Sequence, residues 1–132
     1  MRCALAVTLA LLAAQCGIAA GSTAFPGDPA RGAAIYDRCI ACHALAYNRT
    51  GPKHCGLFGR RAGSVSGFAY SPAMARAKFT WNAETLDRFL ENPGRTLPGT
   101  TMGYAGIADP RERADLIAWL RQATTESPDC RR

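Results

Sequence analysis

Histidine is scarce in this 132-residue chain, which has only His43 and His54. There is no second Cys-x-x-Cys and no His pair, so the four-ligand set of a structural zinc site cannot be assembled from a recognisable second knuckle. Lysine is nearly absent: of 16 basic residues only Lys53 and Lys78 are lysine, and with 10 acidic residues the net charge is +6. No nucleic-acid-binding motif accompanies that charge, so the excess of arginine is no argument for a nucleic-acid partner. No apolar run approaches the roughly 20 residues of a membrane span. The apolar run at 3–15 instead follows Arg2 and precedes Gly17, Ala19, Ala20 and Gly21. That is the pattern of a secretory signal peptide over 1–20, with cleavage between 19 and 24. The alternatives are a retained anchor, or a lipoprotein acylated at Cys16, although Gln15 is larger than the residue that normally precedes such a cysteine. The remainder reads as one domain, 25–125, with a polar tail at 126–132. Export implies an oxidising compartment, so Cys39, Cys42, Cys55 and Cys130 each need an account.

What the chain does have is Cys39-Ile40-Ala41-Cys42-His43. Two cysteines three apart, followed at once by histidine, form the attachment signal for a c-type haem. On a helix, residues i and i+3 share a face, so both thiols can reach the vinyl groups on one edge of a porphyrin. His43 then stands where a ring nitrogen can meet the iron. A redox Cys-x-x-Cys and half of a zinc site are the competing readings of the pentapeptide. A buried haem would add a large apolar body to a small core, so the chain is expected to fold poorly without it.

Capping signals divide the rest. Asp28-Pro29 opens a helix expected to run from 30 to 42, with Gly32, Ile35, Tyr36 and Cys39 on one face. Gly32 costs about 1 kcal/mol inside a helix, a cost that a close helix crossing would justify. From 44 to 67 there is no sustained period, and Leu57, Phe58 and Val65 suggest a loop wrapped on a ligand. Ser71-Pro72 starts a short helix to about residue 77. Asn82 caps another, with Leu86, Phe89 and Leu90 as its apolar stripe, ending at Asn92-Pro93-Gly94. The stretch 96–107 reads as loop, and Asp109-Pro110 begins a last helix to about 123 that buries Leu116, Ile117, Trp119 and Leu120. His54 reads as a surface residue.

In this order, Gly27-Asp28 with Gly32, the 39–43 motif, Thr50-Gly51-Pro52, Gly56-Leu57-Phe58-Gly59-Arg60, Gly67-Phe68-Ala69-Tyr70, Trp81, Leu90-Glu91-Asn92-Pro93, Pro98-Gly99-Thr100-Thr101-Met102 and Arg113-Ala114-Asp115-Leu116-Ile117-Ala118-Trp119-Leu120 resemble a class I cytochrome c, of the mitochondrial type and its soluble bacterial relatives. The resemblance spans about 27 to 124. It implies an all-α class I cytochrome c fold, with about four short helices and long loops around one covalent haem c, joined through Cys39 and Cys42. It implies His43 and Met102 as axial ligands, with the Pro52 carbonyl on the other ring nitrogen of His43. Arg60, Tyr70 and Trp81 correspond to haem-propionate partners, Leu90 to a pocket residue, and Thr100 to a neighbour of Met102. Gly32, Leu116 and Trp119 correspond to the contact between first and last helices.

The same resemblance implies a one-electron carrier, not an enzyme, in a bacterial periplasm. Its donor would be a cytochrome bc complex or a periplasmic dehydrogenase, and its acceptor a terminal oxidase or reaction centre. A monomer without stable membrane insertion is expected. The alternatives are a membrane-tethered haem domain, or a peroxidase or gas-binding protein with a labile Met102.

The departures from the family are informative. The loop 44–49 is short. Phe89 replaces a usual tyrosine and Met74 a usual asparagine, which implies a drier pocket beside Met102. Cys55 replaces a common histidine, and the family fold would bring it near Cys130, implying a disulfide. Arg38 and Arg95 fall near the lysines that steer such carriers to acidic partners, while Gly94, Thr101 and Ala108 replace others and thin that ring. Tyr104 takes the usual aromatic place at the haem edge.

Overall fold

The computed structural model describes residues 26–131, so the signal-peptide reading lies outside the described residues. Among them there is no β-strand, only an isolated bridge between Arg61 and Thr80. The helices are α1 (Pro29–Tyr36), α2 (Pro72–Ala75), α3 (Ala83–Glu91), α4 (Pro93–Thr96) and α5 (Pro110–Glu126), followed by a 3-10 turn at Pro128–Cys130.

Each start is built by its cap. Asp28 accepts from the Ala30 N–H at 2.8 Å, Ser71 from Met74 at 3.2 Å and Asp109 from Arg111 at 2.8 Å. Asn82 and Thr85 form a reciprocal capping box at 2.8 and 2.9 Å.

Three boundaries differ from the sequence expectation, α2 among them in ending at Ala75 rather than about 77, and one helix was not foreseen. α1 stops at Tyr36 rather than reaching 42, because the N–H groups of Arg38 and Cys39 turn to carbonyls three residues back, at 3.1 and 2.8 Å. One helical turn survives where the chemistry needs it: the His43 N–H reaches the Cys39 carbonyl at 2.9 Å. α5 runs on to Glu126, and Gly56 N–H satisfies the Thr124 carbonyl in its last turn at 2.9 Å. α4 lies where Asn92-Pro93-Gly94 reads as a stop. Asn92 does end α3, but its side chain also accepts from Arg95 N–H at 2.9 Å and restarts the helix behind Pro93.

α1 crosses α5 closely. A Cβ on Gly32 would collide with the Asp115 carbonyl oxygen and lie 2.6 Å from Trp119 Cβ, so the crossing that would justify this glycine is present. Buried Asp115 accepts from Asp28 N–H at 2.6 Å and Arg31 Nε at 2.7 Å, tying the start of α1 to α5. Leu86, Phe89 and Leu90 of α3 meet Leu116, Ile117 and Leu120 of α5 in the core. Arg113, itself buried, binds Asp87 at 2.7 Å and the carbonyls of Ile107 and Ala108 at 2.9 Å. It thereby fastens the end of the loop that carries Met102 to both α3 and α5.

Candidate functional site

A cavity of about 460 Å³ lies within this frame. Every site residue the resemblance implies lines it: Cys39, Cys42, His43, Pro52, Arg60, Tyr70, Trp81, Leu90, Thr100 and Met102. The turn after α1 brings the first three, the aperiodic 44–67 stretch brings Pro52 and Arg60, and the loop behind α4 brings Thr100 and Met102. Within the 44–67 stretch it is residues 50–60 that line the cavity, and of the embedded apolar side chains only Leu57 faces it.

His43 is buried, and its Nδ1 donates to the Pro52 carbonyl at 2.8 Å. A carbonyl only accepts, so the proton sits on Nδ1 and Nε2 keeps its lone pair. Burial lowers the His43 pKa, and the Pro52 bond opposes that only partly, so the ring is neutral at physiological pH. Gly51 sits against the Cε1 side of this ring, leaving no room for a Cβ. Cys39 is half-buried and Cys42 exposed, at the rim. Burial pushes the Cys39 thiol up to about 11, against the pull of Arg38.

Other groups are fixed by local bonds. Arg60 donates to the carbonyls of Cys55 and Lys53 at 2.9 and 3.0 Å. Tyr70 Oη accepts from Val65 N–H at 3.3 Å, and Thr100 Oγ1 accepts from Met102 N–H at 3.3 Å. Trp81 packs edge-on against Phe89, centroids 5.1 Å apart. Phe89 and Met74 are buried and line the same cavity, so two apolar groups accompany Met102 there.

His54 is not the surface residue the sequence suggested. It lines the cavity, and its ring stacks on His43 with centroids 4.3 Å apart and planes 22° apart. Burial, with His43 and Arg60 adding to it, pushes its pKa down to about 3. Tyr36 Oη lies 3.0 Å from its Nδ1. Burial raises the Tyr36 phenol to about 12. Nothing in the sequence marked it, because 52–54 belongs to no regular element whose period would assign a face.

Cys55 and Cys130 come together with Cα atoms 5.2 Å apart, within the span a disulfide requires. Arg38 makes a two-pronged pair with Glu112 at 2.9 Å, and Arg95 pairs with Glu91 at 3.3 Å. Both arginines expected to steer partners therefore already face a carboxylate, and Tyr104, a cavity-lining residue, also bonds Arg38. Among the described residues no cluster of His, Cys, Asp and Glu could hold a metal ion by itself.

The comparisons with known proteins agree with this geometry. Residues 29–124 match the family model described as "Cytochrome c". A cytochrome c of Chlamydomonas reinhardtii is 47% identical over 102 residues, covering 74% of this chain and 91% of that protein. A cytochrome c2 of Rhodomicrobium vannielii is 42% identical over 97 residues, covering 71% and 78%. Among solved structures, cytochrome cH from Methylobacterium extorquens superposes with a TM-score of 0.71 at 37% identity, covering 73% of this chain and 99% of that one.

Proposed function

Because the chain belongs to the cytochrome c family, we propose that it is a periplasmic one-electron carrier with its haem held between His43 and Met102. Members of this family carry electrons on a haem c bound covalently through cysteines and are not enzymes. The residues present fit that group. The cavity is lined largely by apolar side chains, two thiols stand at its rim, and His43 is neutral with Nε2 as its lone-pair nitrogen. Cys39 and Cys42 would form the thioethers, and His43 Nε2 and the Met102 sulfur would fill the axial positions. Arg60, Tyr70 and Trp81 would serve the propionates.

When bound, the haem supplies the one-electron couple, and a thioether ligand raises its reduction potential. Two protein ligands leave no coordination site for oxygen or peroxide, which favours a carrier over the peroxidase or gas-binding alternative. The Pro52 bond fixes the His43 tautomer and raises its basicity. Phe89 and Met74 keep water and hydroxyls away from the Met102 side. The donor would be a cytochrome bc complex or a periplasmic dehydrogenase, and the acceptor a terminal oxidase or reaction centre, met by a monomer. With Arg38 and Arg95 paired, docking would depend less on acidic partner surfaces than a lysine ring would require. Cys55 and Cys130 would form a disulfide, tested by mass spectrometry after alkylation without reductant: two alkylated thiols would refute it.

The observation that carries this reading is the convergence of the 39–43 motif, Pro52 and Met102 on one cavity. The test is to purify the exported protein from a host that attaches haem c and record its ferric spectrum. The sulfur-to-iron band at the red end is expected at neutral pH. A colourless protein, or a haem spectrum without that band, refutes the proposed ligation.

A further inference from the structure

We propose that His54 is a positioning residue for His43, held in that task by Tyr36; this rests on the reading of His43 as a haem ligand. The hydrogen bond from His43 Nδ1 to Pro52 fixes the tautomer and one point of the ring. A ring held at one point can still turn about that bond. The imidazole of His54 lies almost flat against it, at 4.3 Å and 22°, and turning one ring would drive it into the other.

His54 is itself held. Its Nδ1 shares a hydrogen bond with Tyr36 Oη at 3.0 Å. Tyr36 is buried on α1, and its ring packs against Trp119 of α5 with centroids 4.1 Å apart. A continuous line of contacts therefore runs from the crossing of α1 and α5, through Trp119, Tyr36 and His54, to the ligand ring. The plane of an axial imidazole governs how unpaired spin spreads over a ferric haem, so loss of the stack has a spectroscopic signature distinct from loss of stability.

Three variants of the haem-loaded protein separate the contributions. His54→Leu keeps bulk but removes the flat face and the hydrogen-bonding nitrogen. His54→Phe keeps a flat face without that nitrogen. Tyr36→Phe keeps both rings and removes only the hydrogen bond. Proton NMR of the ferric form reads the spread of the haem methyl shifts, and a redox titration reads the potential. His54→Leu is expected to change the methyl pattern and shift the potential, Tyr36→Phe to change them in the same sense but less, and His54→Phe to restore most of the wild-type pattern.

If His54→Leu and Tyr36→Phe both keep the wild-type pattern in a protein that shows the sulfur band, the positioning role is refuted and the ligand reading stands. The role is also refuted if His54→Phe departs from wild type as far as His54→Leu does. If the NMR spectrum of the ferric wild type shows no iron-bound imidazole, the reading of His43 as a ligand fails and this proposal fails with it; a missing sulfur band alone would remove only Met102.

Discussion

Gly51 has no side chain because the His43 ring occupies the space where a Cβ would lie. Gly51→Ala must push that ring off the Pro52 carbonyl. The expected outcome is a lower yield of haem-loaded protein and a weakened sulfur-to-iron band, read from the spectrum of the purified variant. Phe89→Tyr tests another part of the cavity lining. Phe89 is buried against Trp81 among apolar groups, and a hydroxyl there would polarise the surroundings of Met102. A redox titration should show a shifted potential, and an unchanged one would argue against the dry-pocket reading. Most of the cavity lining was legible at this scale, because the motifs mark Cys39, Cys42, His43, Pro52 and Met102, which all line it. His54 was not legible. It lies in a segment with no helical period, and a single histidine carries no sign of whether it faces water or a cavity.

Caps were the legible part of the elements. Asp28, Ser71, Asn82 and Asp109 each act within three residues of themselves, so local sequence determines where the helices start. Helix ends depend on packing, which explains why α1 was expected too long and α5 too short. α4 was missed because one Asn-Pro-Gly both ends a helix and caps the next. Gly32→Ala places a methyl against the Asp115 carbonyl and should destabilise the folded state by about 1–3 kcal/mol, measured as a lower denaturant midpoint. The same crossing carries a pH dependence. Hydrogen bonds from Arg31, then from Asp28 N–H, hold the Asp115 carboxyl below its usual range. The stability they contribute is complete above the unfolded carboxylate value of about 4 and is lost as pH falls through the lowered folded value. Asp115→Asn should therefore be less stable than wild type at neutral pH, and unfolding curves taken at successively lower pH should show the gap closing.

For the whole molecule, Cys55 and Cys130 stand 75 residues apart, and a disulfide between them would join a loop beside His54 to the turn after α5. Cys130→Ser should lower stability by about 2–4 kcal/mol in chain-entropy terms. Reductant should reproduce most of that loss in the wild type and none in the variant, as seen in thermal unfolding. The family was legible from the order of the motifs along the chain, and the pairing of Arg38 was not, because Glu112 meets it only after α1 and α5 have crossed. The central cavity has a consequence for how the protein comes into being. A group that binds only the folded chain adds its binding free energy to folding, and here it would fill about 460 Å³ of largely apolar space. The pigment is thus a structural strut as well as a conductor. Chain without it should unfold at a lower temperature and be cut sooner by proteases than the loaded form.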